Sequence, residues 1–127
     1  MDKVLIVDDD QESRDLLCEF LESNGYVPHG VPDGLAAREV LRLDADYRIV
    51  IADLQMPRES GLELLRKLRQ GNTKYDVILM SSFMSGAEKK AARELGVHAL
   101  LDKPFQLAEL LQTVAGLAAQ NSAGISR

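Results

Sequence analysis

Three short apolar runs constrain the fold of this 127-residue chain more than any other feature of its sequence. The runs are VLIV (4–7), IVIA (49–52) and VILM (77–80), and each is continuous and contains β-branched residues. Strands with one face in water alternate apolar and polar residues, whereas strands covered on both faces read as unbroken apolar runs. The three runs therefore predict central strands of a parallel sheet with helices on both faces.

Two weaker strand candidates, YVPHGV (26–31) and HALL (98–101), bring the predicted number of strands to five. After each strand, apolar residues recur at helical spacing. These residues are Leu16, Leu17, Phe20 and Leu21; Ala37, Val40 and Leu41; Leu64, Leu65 and Leu68; Ala91, Ala92 and Leu95; and Leu107, Leu110, Leu111 and Val114. With right-handed crossovers, this alternation predicts an α/β fold: a (βα)₅ doubly wound, five-stranded parallel sheet.

Local residues support these boundaries and indicate the order of the strands. Residues 60–63 and 85–88 fit capping boxes at helix N-termini, and Gly25 and Gly96 stand where glycines end helices. Pro28 cannot donate a hydrogen bond to a neighbouring strand, so the second strand should lie at an edge. This favours the flavodoxin-like strand order 2-1-3-4-5.

Composition narrows the classes of function. A formal net charge of −5 disfavours nonspecific attraction to nucleic acid or to an anionic membrane. No apolar run approaches the ~20 residues of a membrane-spanning helix, and with Cys18 as the only cysteine no intrachain disulfide can form. We therefore predict a cytoplasmic protein with one domain over residues 1–118. The small and polar residues 119–127 are predicted to form a flexible tail or the start of a linker.

The candidate site consists of the residues that follow the predicted strands, because ligands of an open parallel sheet bind outside the carboxyl ends of its strands. The acidic run 8–10 follows strand 1, Asp53 follows strand 3, Ser81 closes strand 4, and Lys103 follows strand 5. Each of these residues also has an ordinary explanation. Asp10 could cap a helix, and Asp53 could lie in a turn. Ser81 could be a packed strand end, and Lys103 could be a surface charge. All four ordinary explanations would have to be true at one edge of the sheet, and this coincidence favours a shared site instead.

The chemistry of these residues points to Mg²⁺ and to phosphoryl transfer. Adjacent carboxylates repel each other, and a buried carboxylate without a partner is unstable. Mg²⁺ prefers oxygens from one or two carboxylates, a backbone carbonyl and water, and would neutralise them. The ion would also hold an incoming phosphoryl group while Asp53 attacks it and forms an acyl phosphate. Ser81 would then donate to one phosphoryl oxygen, and Lys103 would offer its charge to another.

Four segments in sequence order, VLIVDDD, IVIADLQMPRESGLELL, VILMSS and LLDKPF, resemble the receiver domain of two-component response regulators. The resemblance to this chemotaxis-regulator-like family covers residues 3 to about 118, with 28 residues from Asp53 to Ser81 and 22 from Ser81 to Lys103. It implies a phosphoacceptor switch, which is not an enzyme beyond catalysing at most its own phosphorylation and dephosphorylation.

The resemblance implies a role for each acidic residue near the end of strand 1. Asp9 would bind Mg²⁺ directly, and Asp8 would act mainly through water. The backbone carbonyl of Gln55 would complete the metal shell together with Asp53. Asp10 would lie outside the acidic pair and cap helix 1.

The resemblance also implies partners. Asp53 would accept a phosphoryl group from a sensor histidine kinase or a phosphotransfer protein. Ser81 and Lys103, the latter followed by a cis bond to Pro104, would contact that group. The face formed by helix 4, strand 5 and helix 5 would repack, with residues 82–96 as its mobile part, and control a downstream effector domain or protein. A homodimer through the same face is left open.

Several positions depart from the family pattern. Leu100 occupies the place of an aromatic switch residue, so the flip of an aromatic ring cannot report phosphorylation here. Ser82 replaces the usual Ala or Gly, and Gln55 and Phe83 flank the phosphate position. In this family such positions tend to tune how fast the phosphoryl group is lost.

Two functions from other classes stay open at this point. A haloacid-dehalogenase-type Mg²⁺ phosphatase could use Asp8 and Asp10 as the D-x-D motif that begins its active site. However, Glu12 stands where that motif has a small hydroxyl residue or Val. A receiver-like module could also bind a partner without being phosphorylated. Nucleotide binding is disfavoured because no Gly-rich turn follows strand 1. His29 and His98 lack the spacing of a transition-metal site.

Overall fold

Strands and helices alternate five times along the chain, as predicted. The computed structural model describes residues 2–71 and 75–125. The strands are β1 (Lys3–Val7), β2 (Val27–Val31), β3 (Ile49–Asp53), β4 (Asp76–Ser81) and β5 (Ala99–Asp102). The helices are α1 (Gln11–Ser23), α2 (Gly34–Leu43), α3 (Gly61–Gln70), α4 (Gly86–Glu94) and α5 (Leu107–Ile125).

All five strands are parallel and form one sheet in the order β2-β1-β3-β4-β5. The predicted fold class and strand order are therefore confirmed. Pro28 lies in β2 at the edge of the sheet, as its missing N–H required. None of the helices within residues 2–71 and 75–125 is long and apolar enough to cross a membrane.

The sheet is buried on both faces, which explains its unbroken apolar runs. Along β1, Leu5 and Val7 face a core cluster built with α2, α3 and α4, whereas Val4 and Ile6 face a second cluster built with α1 and α5. All four side chains are fully buried. Burial on both faces removes the polar–apolar alternation that an exposed face would impose.

The predicted helix boundaries are confirmed in detail. Both capping boxes, at residues 60–63 and 85–88, are complete, with the serine and the glutamate side chains bonding each other's backbone N–H groups. Gly25 and Gly96 follow α1 and α4 with φ angles of +90° and +73°, a region that favours glycine. The backbone of α5 continues to Ile125. The tail expected at 119–127 stays a prediction, and its last two residues lie outside the described part of the chain.

Glu59 in the β3–α3 loop is a buried carboxylate that the sequence analysis missed. Its side chain joins this loop to α2 and α3. Glu59 is only 7% exposed, and its Oε1 lies 3.1 Å from Arg38 Nη2 of α2 and 2.5 Å from Lys67 Nζ of α3. Gly34 leaves room for it, since a Cβ there would lie 2.1 Å from Glu59 Oε2. Burial would raise the pKa of Glu59, but hydrogen bonds from Lys67 and Arg38 outweigh it and hold that pKa below its ordinary value.

We expect Glu59→Gln to lower the free energy of unfolding at pH 7 by about 1–2 kcal/mol, because two charge-assisted hydrogen bonds are lost. Glu59 has a lowered pKa in the folded state, so its stabilisation is complete above the unfolded value of about 4.3 and disappears as pH falls through the folded value. Urea unfolding at pH 7 and in acid measures both effects. Glu39→Gln, which breaks the exposed pair with Arg42, is the control and should change little. A pH-independent difference for Glu59→Gln would contradict this account.

Candidate functional site

The carboxyl ends of four neighbouring strands bring the predicted site residues to one rim of the sheet. Asp8 directly follows β1, Asp53 is the last residue of β3, Ser81 is the last residue of β4, and Lys103 directly follows β5. Of these side chains, those of Asp8, Asp53 and Ser81 are buried, and Lys103 is half-buried. The peptide bond from Lys103 to Pro104 is cis, as the resemblance implied.

An ion pair between Lys103 and Asp53 lies at the centre of the site. Lys103 Nζ is 2.7 Å from Asp53 Oδ2 and 3.8 Å from Asp8 Oδ2. The other oxygen of Asp53, Oδ1, accepts a hydrogen bond of 3.0 Å from the backbone N–H of Gln55. Burial would lower the pKa of Lys103, but the hydrogen bond from Lys103 to Asp53 and the charges of both aspartates raise it above its ordinary value. Lys103 is therefore a permanent cation in this site.

Asp8 is fully buried and only half satisfied. Its Oδ1 accepts a 2.9 Å hydrogen bond from the backbone N–H of Asp10, whereas Oδ2 is buried without any hydrogen-bond partner among residues 2–71 and 75–125. Burial raises the pKa of Asp8, against the hydrogen bond from Asp10 and the charge of Lys103. A buried carboxylate oxygen that lacks a hydrogen bond and has Lys103 Nζ only at 3.8 Å fits a further cation or a water bound to one.

The donor set around that oxygen fits Mg²⁺. One carboxylate oxygen from each of Asp8, Asp9 and Asp53 can be chosen so that all three lie within 4.8 Å of one another. Ligand oxygens on opposite sides of Mg²⁺ are about 4.2 Å apart, and an oxygen reached through a bound water lies farther from the ion, so this spacing suits one ion with two direct carboxylate ligands and a third bound through water. Asp9 is exposed, which leaves room for the water ligands that Mg²⁺ retains.

The β1–α1 turn that carries the acidic pair is fixed by backbone contacts. Arg14 of α1 donates a hydrogen bond of 2.8 Å from Nη1 to the carbonyl oxygen of Asp8. Its stem lies against Gly30 of β2, where a Cβ would come within 2.6 Å of Arg14 Cγ. Asp10 accepts from the backbone N–H of Glu12 and caps α1, as predicted. The side chain of Asp10 is therefore engaged at the helix end.

Ser81 lies at the rim, and its hydroxyl forms hydrogen bonds there with Phe83 and Gln55. It accepts a 3.0 Å hydrogen bond from the backbone N–H of Phe83 and a 2.8 Å bond from Gln55 Nε2. The sequence analysis assigned the backbone carbonyl of Gln55 to the metal and placed Gln55 beside the phosphate position, but it did not predict this side-chain contact with Ser81. No pattern in the sequence signals it, because residues 55 and 81 meet only when β3 and β4 pair.

Comparison with known proteins agrees with this geometry. The family model described as "Response regulator receiver domain" matches residues 4–115. Response regulator MprA of Mycobacterium ulcerans is 35% identical over 115 residues, which cover 91% of this chain and 49% of that protein. A second MprA, from Mycobacterium avium, is 34% identical with 91% and 50% covered. The chain thus spans about half the length of these curated relatives.

Solved structures show the same likeness. A response regulator receiver protein from Pseudomonas putida has a TM-score of 0.86 and 32% identity, with 91% of this chain and 96% of that chain covered. Response regulator TrrA from Thermotoga maritima, solved in complex with Mg²⁺ and beryllofluoride, has a TM-score of 0.82 and 28% identity, with 92% and 99% covered.

A doubly wound parallel sheet with acidic side chains and a lysine at the carboxyl ends of its strands places this protein in the class of open α/β folds that bind ligands at that edge. This chain belongs to the response regulator receiver domain family of two-component signalling. The resemblance stated from the sequence is thereby confirmed. Receiver domains of this family are signalling switches.

We expect Asp8→Asn to raise the melting temperature of the metal-free protein, because it removes a buried charge with an unpartnered oxygen. The same change should weaken Mg²⁺ binding at least about tenfold, as loss of groups that orient metal-bound water commonly does. Thermal unfolding with and without Mg²⁺ measures both effects, since a ligand of the folded state raises its stability.

Asp10→Asn is the matched control for this experiment. It makes the same chemical change two residues away and keeps a side chain that caps helices well. The control should retain the Mg²⁺-dependent rise in melting temperature. A rise of equal size in Asp8→Asn would contradict the assignment of Asp8 to the metal site.

Proposed function

We propose that Asp53 accepts a phosphoryl group, with Mg²⁺, from a sensor histidine kinase or a phosphotransfer protein in the cytoplasm. The phosphorylated domain then controls a downstream effector domain or protein. One observation carries this proposal: the Asp53 carboxylate lies 2.7 Å from a lysine ammonium on one side and within 4.8 Å of two further carboxylates. With a divalent cation bound among the carboxylates, a transferring phosphoryl group would have cationic charge on both sides, which stabilises it.

The resemblance to the family implies the metal shell, and the donor set is compatible with it. Asp9, Asp53 and the backbone carbonyl of Gln55 would bind Mg²⁺ directly, and the unpartnered Oδ2 of Asp8 would accept a hydrogen bond from a metal-bound water. The ion supplies positive charge to the phosphoryl oxygens. Three carboxylates opposed by one lysine leave two negative charges, which one divalent cation balances.

The chain's own residues account for the transfer step. Asp53 Oδ1 is oriented by the Gln55 N–H, and its Oδ2 is held by Lys103. A carboxylate oxygen of Asp53 attacks phosphorus, forming an O–P bond while the N–P bond to the donor's histidine breaks, and the imidazole leaves with the electron pair. Lys103 would then exchange part of its contact with Asp53 for a phosphoryl oxygen.

The phosphoryl group would act on the α4–β5–α5 face. Phosphorylation adds about −1.5 to −2 charges, and couplings of ~1–3 kcal/mol shift a two-state equilibrium by roughly 5- to 150-fold. Contacts to Lys103 and Ser81 are sufficient for a shift of this size. Leu100 is half-buried and packs against the core cluster beside α4, so a change in aliphatic packing replaces the ring flip. The chain itself would catalyse at most its own phosphorylation and dephosphorylation.

We expect the wild-type chain to gain the mass of one phosphoryl group when it is incubated with a small acyl-phosphate donor and Mg²⁺. Asp53→Asn should gain none, because an amide oxygen is a poor nucleophile for this step. Intact-mass spectrometry measures the adduct, and chelation of Mg²⁺ should abolish it. Asp46→Asn, at an exposed aspartate in the loop that precedes β3, should be phosphorylated like the wild type. An adduct on Asp53→Asn would overturn the assignment, and a wild type without adduct would favour the binding-only module.

A further inference from the structure

The side chain of Gln55 is hydrogen-bonded to the Ser81 hydroxyl. A phosphoryl group on Asp53 would need this hydroxyl as a hydrogen-bond donor. Gln55 Nε2 donates to Ser81 Oγ at 2.8 Å and to the carbonyl oxygen of Phe83 at 2.7 Å, and Gln55 Oε1 lies 3.1 Å from Ser81 Oγ. These contacts use only side-chain atoms of Gln55. Its backbone carbonyl, the proposed Mg²⁺ ligand, is not involved, so the two roles of the residue can be separated by mutation.

The hydrogen-bonding capacity of the Ser81 hydroxyl is already used. A hydroxyl donates one hydrogen bond and accepts two. Ser81 Oγ accepts from Gln55 Nε2 and from the Phe83 N–H, and its own proton has two acceptors within reach, the Phe83 carbonyl oxygen and Gln55 Oε1. Within residues 2–71 and 75–125, Ser81 makes no hydrogen bond to Asp53. Because Ser81 is 1% exposed, water does not compete for it in this arrangement.

We propose that Gln55 is a positioning residue that holds the Ser81 hydroxyl away from the phosphoryl position, and that a phosphoryl group competes with Gln55 for this hydroxyl. The inference rests on the proposed function, because it assumes that a phosphoryl group is bound at Asp53. To donate its single proton to a phosphoryl oxygen, Ser81 must withdraw it from the Phe83 carbonyl or from Gln55 Oε1, and turning the hydroxyl also disturbs the bond it accepts from Gln55 Nε2. The contact therefore stabilises the unphosphorylated state.

This competition connects the site to α4 without an aromatic switch residue. When Ser81 turns to the phosphoryl group, the N–H of Phe83 loses its acceptor, and the N-cap of α4, Ser85, follows two residues later. The other end of α4 is held, because Arg69 of α3 donates to the carbonyl oxygens of Leu95 and Gly96 at 2.7 and 3.1 Å. The rearrangement is therefore concentrated at the N-terminal end of α4.

The variant that tests this inference is Gln55→Met, which preserves length and the backbone carbonyl but removes the amide. The probe is beryllofluoride with Mg²⁺, and its dissociation constant is measured by calorimetry. We expect roughly 3- to 10-fold tighter binding, since one or two neutral hydrogen bonds no longer oppose it. Gln112→Met, the same change at an exposed position of α5, should bind like the wild type.

Ser81→Ala completes a double-mutant cycle that a merely structural role of Gln55 would not satisfy. In the Ser81→Ala background, Gln55→Met should leave the dissociation constant unchanged, because the hydroxyl for which the two compete is absent. Unchanged or weaker binding by Gln55→Met alone, or an equal gain in both backgrounds, would overturn the inference.

A second readout needs no ligand and separates this inference from the proposed function. Gln55→Met should speed amide hydrogen exchange at Phe83 in the unliganded protein, because the acceptor Ser81 Oγ becomes mobile. Unchanged exchange at Phe83 alone would reject the Gln55 contact and leave the proposed function standing. Failure of the proposed function looks different: the wild type and every variant at residue 55 would bind no beryllofluoride, and the inference would fall with it.

Discussion

The ion pair between Lys103 and Asp53, with Asp8 beside it, is the interaction on which the site depends. Three carboxylates at one rim repel one another, and a single ammonium offsets only part of that repulsion. The pair thus stabilises the protein without saturating its acidic side chains, because Asp8 Oδ2 is buried with no hydrogen bond from the residues that the structure describes and with Lys103 Nζ 3.8 Å away. Under the proposed function, this incomplete balance is what would make the site responsive to a divalent cation and to a phosphoryl group. A fully neutralised cluster would respond to neither.

The sheet positions these charges through the register of its central strands. β1 and β3 are neighbours, with Val7 opposite Ala52, so the next residues along the two strands, Asp8 and Asp53, emerge side by side. Both strands are buried on both faces and cannot shift by one residue without turning apolar side chains to the wrong face. Below the rim, Glu59 joins α2 and α3 to the loop that carries Gln55. The position of the site is therefore a consequence of core packing.

Most of the fold and the gathering of the acidic residues could be predicted from the sequence, because both depend on local patterns. Burial on both faces leaves continuous apolar runs, Pro28 marks an edge strand, and the carboxyl ends of parallel strands meet at one rim. The contacts of Gln55 and Glu59 could not be predicted. Both are long polar side chains in a loop that reads as solvated, and their partners lie at least eight positions away in sequence and are brought near only by tertiary packing. Nothing local distinguishes such a residue from a surface one.

A crystal of the protein grown with Mn²⁺ in place of Mg²⁺ tests the central claim most directly, because anomalous scattering locates the metal independently of any assumption about the ligands. The account predicts a single strong peak within about 2.5 Å of oxygens from Asp9, Asp53 and the Gln55 carbonyl, with Asp8 reached through a bound water. A peak elsewhere on the surface, or no peak at a Mn²⁺ concentration that saturates binding in solution, would contradict it.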